Sequence, residues 1–225
     1  MSSVIAWIIP SWTEYGPAKN LLNRDALPTA WEDHAPASPE DPIEYYYCTG
    51  TIKEHDVYLV NAEKERYVNR AAEIMAEELK AQGKNISVYI IGGLDYLANY
   101  TPGHFNIGDC AISTPVFDEE IEAYYQNIRE SIPEESRKNA KSLLDAVSSL
   151  LHNQQGYTIG GRTCYAHALY DQNQADIESR MCVIPGLPYI TVVGLCKVDL
   201  DQLELASTAS ALTIMKIIEQ MEKLE

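Results

Sequence analysis

"GLPYITVVGLCKVDLD", residues 186–201, decides the fold. Positions 188–196 form a nearly unbroken apolar run, the pattern of a strand buried on both faces of a parallel sheet. Lys197, Asp199 and Asp201 then charge its far end. Such an end is a catalytic site, the remnant of one, or simply the point where a strand meets water.

Working outward, apolar runs of strand length alternate with amphipathic stretches, as expected of βαβ units around a buried sheet. "VIAWII" (4–9) is a first strand, followed after Pro10 and Ser11 by a short helix from Thr13, with Thr13 as its cap. "TAWEDHAPASPEDP" (29–42), with three prolines and four acids, reads as a surface loop. "EYYYCTGTIKEHDVYLVNA" (44–62) holds two β-rich runs parted by Gly50 and a polar patch, a hairpin or meander.

In "EKERYVNRAAEIMAEELKAQG", Val68, Ala71, Ala72, Met75 and Leu79 recur at helical spacing, and Gly83 ends the helix as its C′ residue. "ISVYIIGGL" (86–94) and "IGDCAIS" (107–113) are strands. "DEEIEAYYQNI" and "EESRKNAKSLLDAVSSLLHNQ" are helices, and "GYTIGGRTCYAHA" (156–168) returns to strand character around Gly160-Gly161. "IESRMCVI" reads as a short helix, and the chain closes on a long amphipathic helix from Gln202.

The 225 residues suit a single domain, 1–225, with 46% hydrophobic and 22% charged content enough to bury a sizeable core. A net charge of −16 repels phosphate backbones, so nucleic acid is an unfavourable partner. Cys48, Cys110, Cys164, Cys182 and Cys196 form no C-x-x-C pair and suggest buried thiols in a reducing compartment. No stretch reaches the roughly 18 apolar residues of a membrane helix, and the N-terminus has no basic leader, so a cytoplasmic location is expected. The five histidines are scattered without ligand spacing, so neither a metal nor another cofactor is expected.

Ligands of such sheets bind where strand ends meet loops. That rule selects 11–14, 61–66, 92–96, 160–165 and 196–201. Gly92 and Gly93 give a ligand room to approach the backbone, or make a tight turn. No G-x-x-x-x-G-K-[ST] or G-x-G-x-x-G occurs, which disfavours a standard nucleotide-phosphate cradle. Glu178 sits at the start of a predicted helix, where it either complements the macrodipole or accepts two hydrogen bonds from a vicinal diol.

Together the runs "IGGLDYLANYTPGHFNIGDCAIS", "GYTIGGRTCY", "ADIESRM" and "LPYITVVGLCKVDLD" resemble, in order and spacing across nearly the whole chain, the nucleoside phosphorylase and nucleosidase superfamily. That resemblance implies a three-layer α/β/α fold with a central mixed, twisted sheet. It also implies a purine nucleoside-like small molecule as ligand, N-glycosidic cleavage as reaction, and a homo-oligomer, for which consecutive tyrosines at 45–47 offer an interface or ordinary strand packing. By the resemblance, Gly92 and Gly93 border the ribosyl and base pocket beside Ile107-Gly108-Asp109. Glu178, preceded by Ile177, binds the ribose hydroxyls, and the stretch with Arg162, Cys164 and Tyr165 lies along the base.

Two positions depart from the family pattern. Where the family carries the aspartate that protonates the leaving purine, this chain has Lys197, and Val193 replaces the arginine. Asp199 lies two residues on, about 7 Å along an extended chain. Glu14 in "PSWTEYG" falls within one position of the nucleosidases' water-activating glutamate, or is an ordinary first-turn helix acid. The phosphate-binding glycine turn is replaced by "NAEKERYV", where Lys64 and Arg66 are the candidate anion binders, so hydrolysis is favoured over phosphorolysis.

Lys197 either pairs with nearby acids at a solvated end, or, if desolvated, acts as base, Schiff-base nucleophile, anion holder or acid. Two functions follow. One is a hydrolase of purine-like nucleosides with Glu14 orienting water; the other is a relative that has lost cleavage and serves as a pseudoenzyme or in another small-molecule reaction.

Overall fold

The computed structural model describes residues 3–22, 46–62, 67–99, 103–113, 134–153, 156–168, 188–197 and 199–222. Among them a seven-stranded mixed sheet is built from β1 (Ser3–Ile9), β2 (Tyr46–Ile52), β3 (His55–Asn61), β4 (Ile86–Tyr96), β5 (Cys110–Ser113), β8 (Ala166–Ala168) and β9 (Tyr189–Cys196), in the order β2-β3-β1-β4-β9-β5-β8. A two-stranded ribbon of β6 (Tyr157–Ile159) and β7 (Arg162–Cys164) stands apart. The opening stretch is a central strand: β9 pairs with β4 in parallel and with β5 antiparallel, and all eight residues are buried.

Alternation along the strands sends side chains to two cores. On one face, Ile5, Trp7 and Ile9 with Val88, Ile90, Ile190 and Val192 meet α1 (Trp12–Leu21), α3 (Glu134–His152) and α4 (Leu200–Gln220). On the other, Val4, Ala6 and Ile8 with Tyr89, Ile91, Val193 and Leu195 meet α2 (Val68–Ala81). The fold is a three-layer α/β/α arrangement around a mixed sheet. In α2 the buried residues are Val68, Ala71, Ala72, Met75 and Leu79, the set given by helical periodicity. Its end is a Schellman turn: Gly83 has φ 75° and Lys84 N donates to Leu79 O at 2.9 Å.

The first helix differs from expectation. It starts at Trp12 with Ser11, not Thr13, in the extended N-cap position, because Ser11 is the last residue before the chain turns off β1. The segments 29–42, 118–128 and 177–184, read from the sequence as a loop and two helices, lie outside the described residues.

At the opposite end of the sheet from the strand termini considered below, His55 is fully buried. Its Nδ1 accepts from Ser3 Oγ at 2.7 Å and its Nε2 donates to Met221 O at 3.4 Å, tying β1, β3 and the end of α4 together. Both bonds suit the neutral ring. Burial lowers the His55 pKa, a hydrogen bond to Met221 opposing but not reversing the effect. Below the unfolded value near 6.5 the unfolded chain takes up a proton that the folded chain refuses, so the contribution of neutral His55 is full above that value and is lost as pH falls toward the folded pKa. Thermal melts are expected to show Tm falling between about pH 7 and pH 5, with a shallower fall in His55→Gln; equal slopes would exclude His55 as the source.

Candidate active site

β1, β3, β4 and β9 run in parallel, so their C-termini share one end of the sheet. β2 runs antiparallel to β3 and β5 to β9, and β8 is parallel to β5, so these three begin there. This one end therefore gathers Ser11 to Glu14, Asn61, Asp95 and Tyr96, Asp109, Tyr165 and His167, and Cys196 with Lys197.

Glu14 is the third residue of α1, and Ser11 stands at its N-cap, an S-x-x-E spacing. In that setting the serine hydroxyl usually turns to a helix amide, but here it donates to Glu14 Oε2 at 2.7 Å. The carboxylate is only 3% exposed. It lies close enough to Cys196, at the end of β9, for its charge to act on the thiol. A carboxylate this buried is unusual for a capping residue, since buried acids are rare without a partner or a role.

The end of β9 is less enclosed. Lys197 is exposed, so the described residues do not form the desolvated pocket that base or Schiff-base chemistry requires. Asp199 is the N-cap of α4: Oδ1 accepts from Asp201 N at 3.3 Å and Oδ2 from Gln202 Nε2 at 3.4 Å. Its carboxylate is thereby oriented toward the helix. Cys196 Sγ donates to Asp95 O at 3.4 Å, and burial, with the charges of Asp95 and Glu14, raises its pKa. Burial likewise raises Cys164, and lifts Cys110 to about 12, so these three thiols are not poised as thiolates.

Gly92 and Gly93 lie within buried β4 rather than in a turn. A Cβ at Gly92 would stand 3.2 Å from Trp7 Nε1 and 3.3 Å from Ile214 Cδ1, so packing of the central tryptophan accounts for that glycine. Gly160 and Gly161, with φ of 55° and 81°, form the two-residue turn between β6 and β7. Arg162 is exposed beyond this turn, Cys164 is fully buried, and Tyr165 is 41% exposed. Of this stretch, Tyr165 reaches the shared sheet end, because β8 begins just after it.

A further pair appears that sequence spacing does not reveal. Asp109, 1% exposed, accepts from Tyr165 N at 2.9 Å through Oδ1 and from Asn106 N at 2.8 Å through Oδ2; the same Oδ2 lies 3.3 Å from His167 Nε2. Burial pushes the Asp109 pKa upward, but the hydrogen bonds from His167, Tyr165 and Asn106 together outweigh it and the net shift is downward. Asp109 is thus an ionised, anchored acceptor, and His167 Nε2 is the donor. The His167 side chain is 34% exposed and meets Phe105 edge-on, with ring centroids 5.0 Å apart. The two residues are 58 apart in the chain and meet because β5 and β8 are adjacent. The glycine-aspartate at 108–109 was the sequence signal for half of it.

Ile177, Glu178, Lys64 and Arg66 lie outside the described residues. Among the described residues no group of three or more His, Cys, Asp or Glu side chains is arranged to hold a metal ion, and no helix is long and apolar enough to cross a membrane. Tyr47 packs against Tyr58 with centroids 6.3 Å apart, and Tyr46 against Trp12 at 4.9 Å, so these two tyrosines serve strand packing.

No family model matches the sequence, and no curated protein sequence matches it. Solved structures do match over the full length. The 5′-methylthioadenosine/S-adenosylhomocysteine nucleosidase of Colwellia psychrerythraea, in complex with adenine, is similar at a TM-score of 0.55 with 13% identity, covering 100% of this chain and 99% of that one. The S-adenosylhomocysteine nucleosidase of Streptococcus pyogenes is similar at 0.55 with 15% identity, covering 99% of each. The futalosine hydrolase of Helicobacter pylori is similar at 0.51 with 9% identity, covering 98% and 99%. The sheet order, the helices on its two faces and these full-length superpositions agree: the chain has the fold of these nucleosidase and hydrolase structures.

Proposed function

We propose that this protein binds a purine nucleoside-like molecule at the shared strand end and hydrolyses its N-glycosidic bond. The observation that carries the reading is Glu14: a buried carboxylate, fixed by Ser11 at 2.7 Å, at the end of β1 and within electrostatic reach of β9. In this reaction Glu14 takes a proton from water as the water oxygen bonds to the anomeric carbon. The bonding pair of the glycosidic bond leaves with the base. Glu178, with Ile177 before it, holds the ribose hydroxyls, and Tyr165, which reaches the shared strand end, flanks the base, while Arg162, Cys164, Gly92 and Gly93 stand back from it. The similar solved structures include one with adenine bound, which supports the ligand class.

A second reading, binding without cleavage, is favoured by one observation. The position that the resemblance gives to the leaving-group acid is Lys197, which is exposed. Incubating the chain with a panel of purine nucleosides in phosphate-free buffer separates the two. Hydrolysis yields free base and reducing sugar in equal amounts. A thermal shift without release establishes binding alone, and neither signal with any nucleoside would remove both readings.

A further inference from the structure

We propose that His167, held by Asp109, is the acid that protonates the departing base, taking over the task that the end of β9 lacks. This inference rests on the hydrolase reading above. Loss of a purine from ribose requires a proton at a ring nitrogen of the base as the bond breaks, since the unprotonated base is a poor leaving group. At this sheet end Lys197 is exposed, and Asp199 is turned to the start of α4. Asp95 Oδ1 accepts from Tyr96 N and Asn99 Nδ2, both at 2.7 Å, where β4 ends. Glu14 already has the opposite role, as acceptor of the water proton.

His167 has the features of a proton donor. Both oxygens of Asp109 are fixed by backbone amides, from Tyr165 and from Asn106, so the carboxylate cannot rotate away. It accepts from Nε2, which leaves Nδ1 as the ring nitrogen that can face a ligand. Phe105, edge-on to the imidazole with 73° between the rings, holds the plane of the ring. This is the relation of a buried aspartate to the histidine it orients in acyl-transfer enzymes, with the histidine serving as acid rather than base. β8 is two strands from β9, about 10 Å at ordinary strand spacing. His167 stands with Ala111 on the α2 face of the sheet and Glu14 on α1 at the other face, so a purine nucleoside reaching both lies over the strand ends, its sugar toward Glu14 and its base toward His167.

The step balances. Imidazolium Nδ1–H passes its proton to a ring nitrogen of the purine while the glycosidic electron pair withdraws into the base. Water bonds to the anomeric carbon and gives its proton to Glu14. Exchange with solvent returns one proton from Glu14 and one to His167, so only water is consumed.

The test compares two substrates with the full chain: a purine nucleoside that the wild type cleaves, and para-nitrophenyl riboside, whose leaving group departs as a stable anion and needs no acid. His167→Gln is expected to slow purine release by about 10²-fold or more while leaving nitrophenol release within a few-fold. His167→Asn carries the same expectation should the longer amide disturb β8. Equal loss on both substrates, or no loss on either, would overturn the assignment of His167 and leave the hydrolase reading standing. A wild-type chain that cleaves neither substrate overturns the hydrolase reading, and this inference with it.

Discussion

Replacing Glu14 by glutamine should lower kcat for a cleaved nucleoside by about 10²–10⁴-fold while changing its Kd only a few-fold. Glutamine keeps the length and shape of the side chain, and its amide oxygen can still accept from Ser11 Oγ, which now contacts Oε2 at 2.7 Å. What it cannot do is take a proton. The split between kcat and Kd therefore isolates proton transfer from packing, provided that thermal melts show the variant folded. If kcat is unchanged, Glu14 is no more than an acid of the first helical turn, and the hydrolase reading loses its central group.

The largest effect on stability is expected at Gly194, within the stretch from which the fold was read. A Cβ there would lie 2.1 Å from Ala206 O and 2.7 Å from Ala206 C, both backbone atoms of α4. A flexible side chain could swing aside, but a helix backbone cannot, so Gly194→Ala must push α4 off β9. Overpacking of this kind costs about 3 kcal/mol or more, which for a chain of this size means a Tm lower by roughly 6–12 °C or failure to fold. Gly16→Ala is the control. Gly16 lies inside α1 with nothing within 4 Å of the added carbon, and removing a helix-interior glycine should stabilise by about 0.5–1 kcal/mol. If Gly194→Ala melts with the wild type, α4 does not approach β9 as described.

The close contact at Gly194 also explains how the site end is built. α4 can lie against β9 only because no side chain intervenes at Gly194, and its first turn, capped by Asp199, begins at Leu200, three residues after Lys197. The short link holds the Asp199 carboxylate at the helix. Asp199 consequently cannot serve as a stand-in for an acid two residues earlier without losing its bonds to Asp201 N and Gln202 Nε2.

Periodicity made much of the architecture legible. Burial on both faces writes a continuous apolar run, which is why β1, β4 and β9 were evident, and burial on one face of a helix writes the spacing seen from Val68 to Leu79. The β2–β3 hairpin followed from two β-rich runs, but Gly50, read as parting them, lies inside β2 opposite Val57, and the turn is Lys53-Glu54. The cap of α1 was placed two residues late because Ser11 and Thr13 are both good caps, and only the turn off β1 selects between them.

The candidate site was legible in its local parts and hidden in its long-range ones. Strand ends could be named from the sequence, since each is the last residue of an apolar run before a polar one. That they converge depends on strand direction: Gly160–Gly161 became a hairpin tip, while Tyr165 and His167 came to the site through β8 running alongside β5. The sequence by itself determined the buried strands β1, β4 and β9 and the helix α2, because these are properties of neighbours in the chain. Only the tertiary structure decided that Glu14 is buried and that Asp109 meets His167, because burial and contact across 58 residues are set by which strands lie side by side.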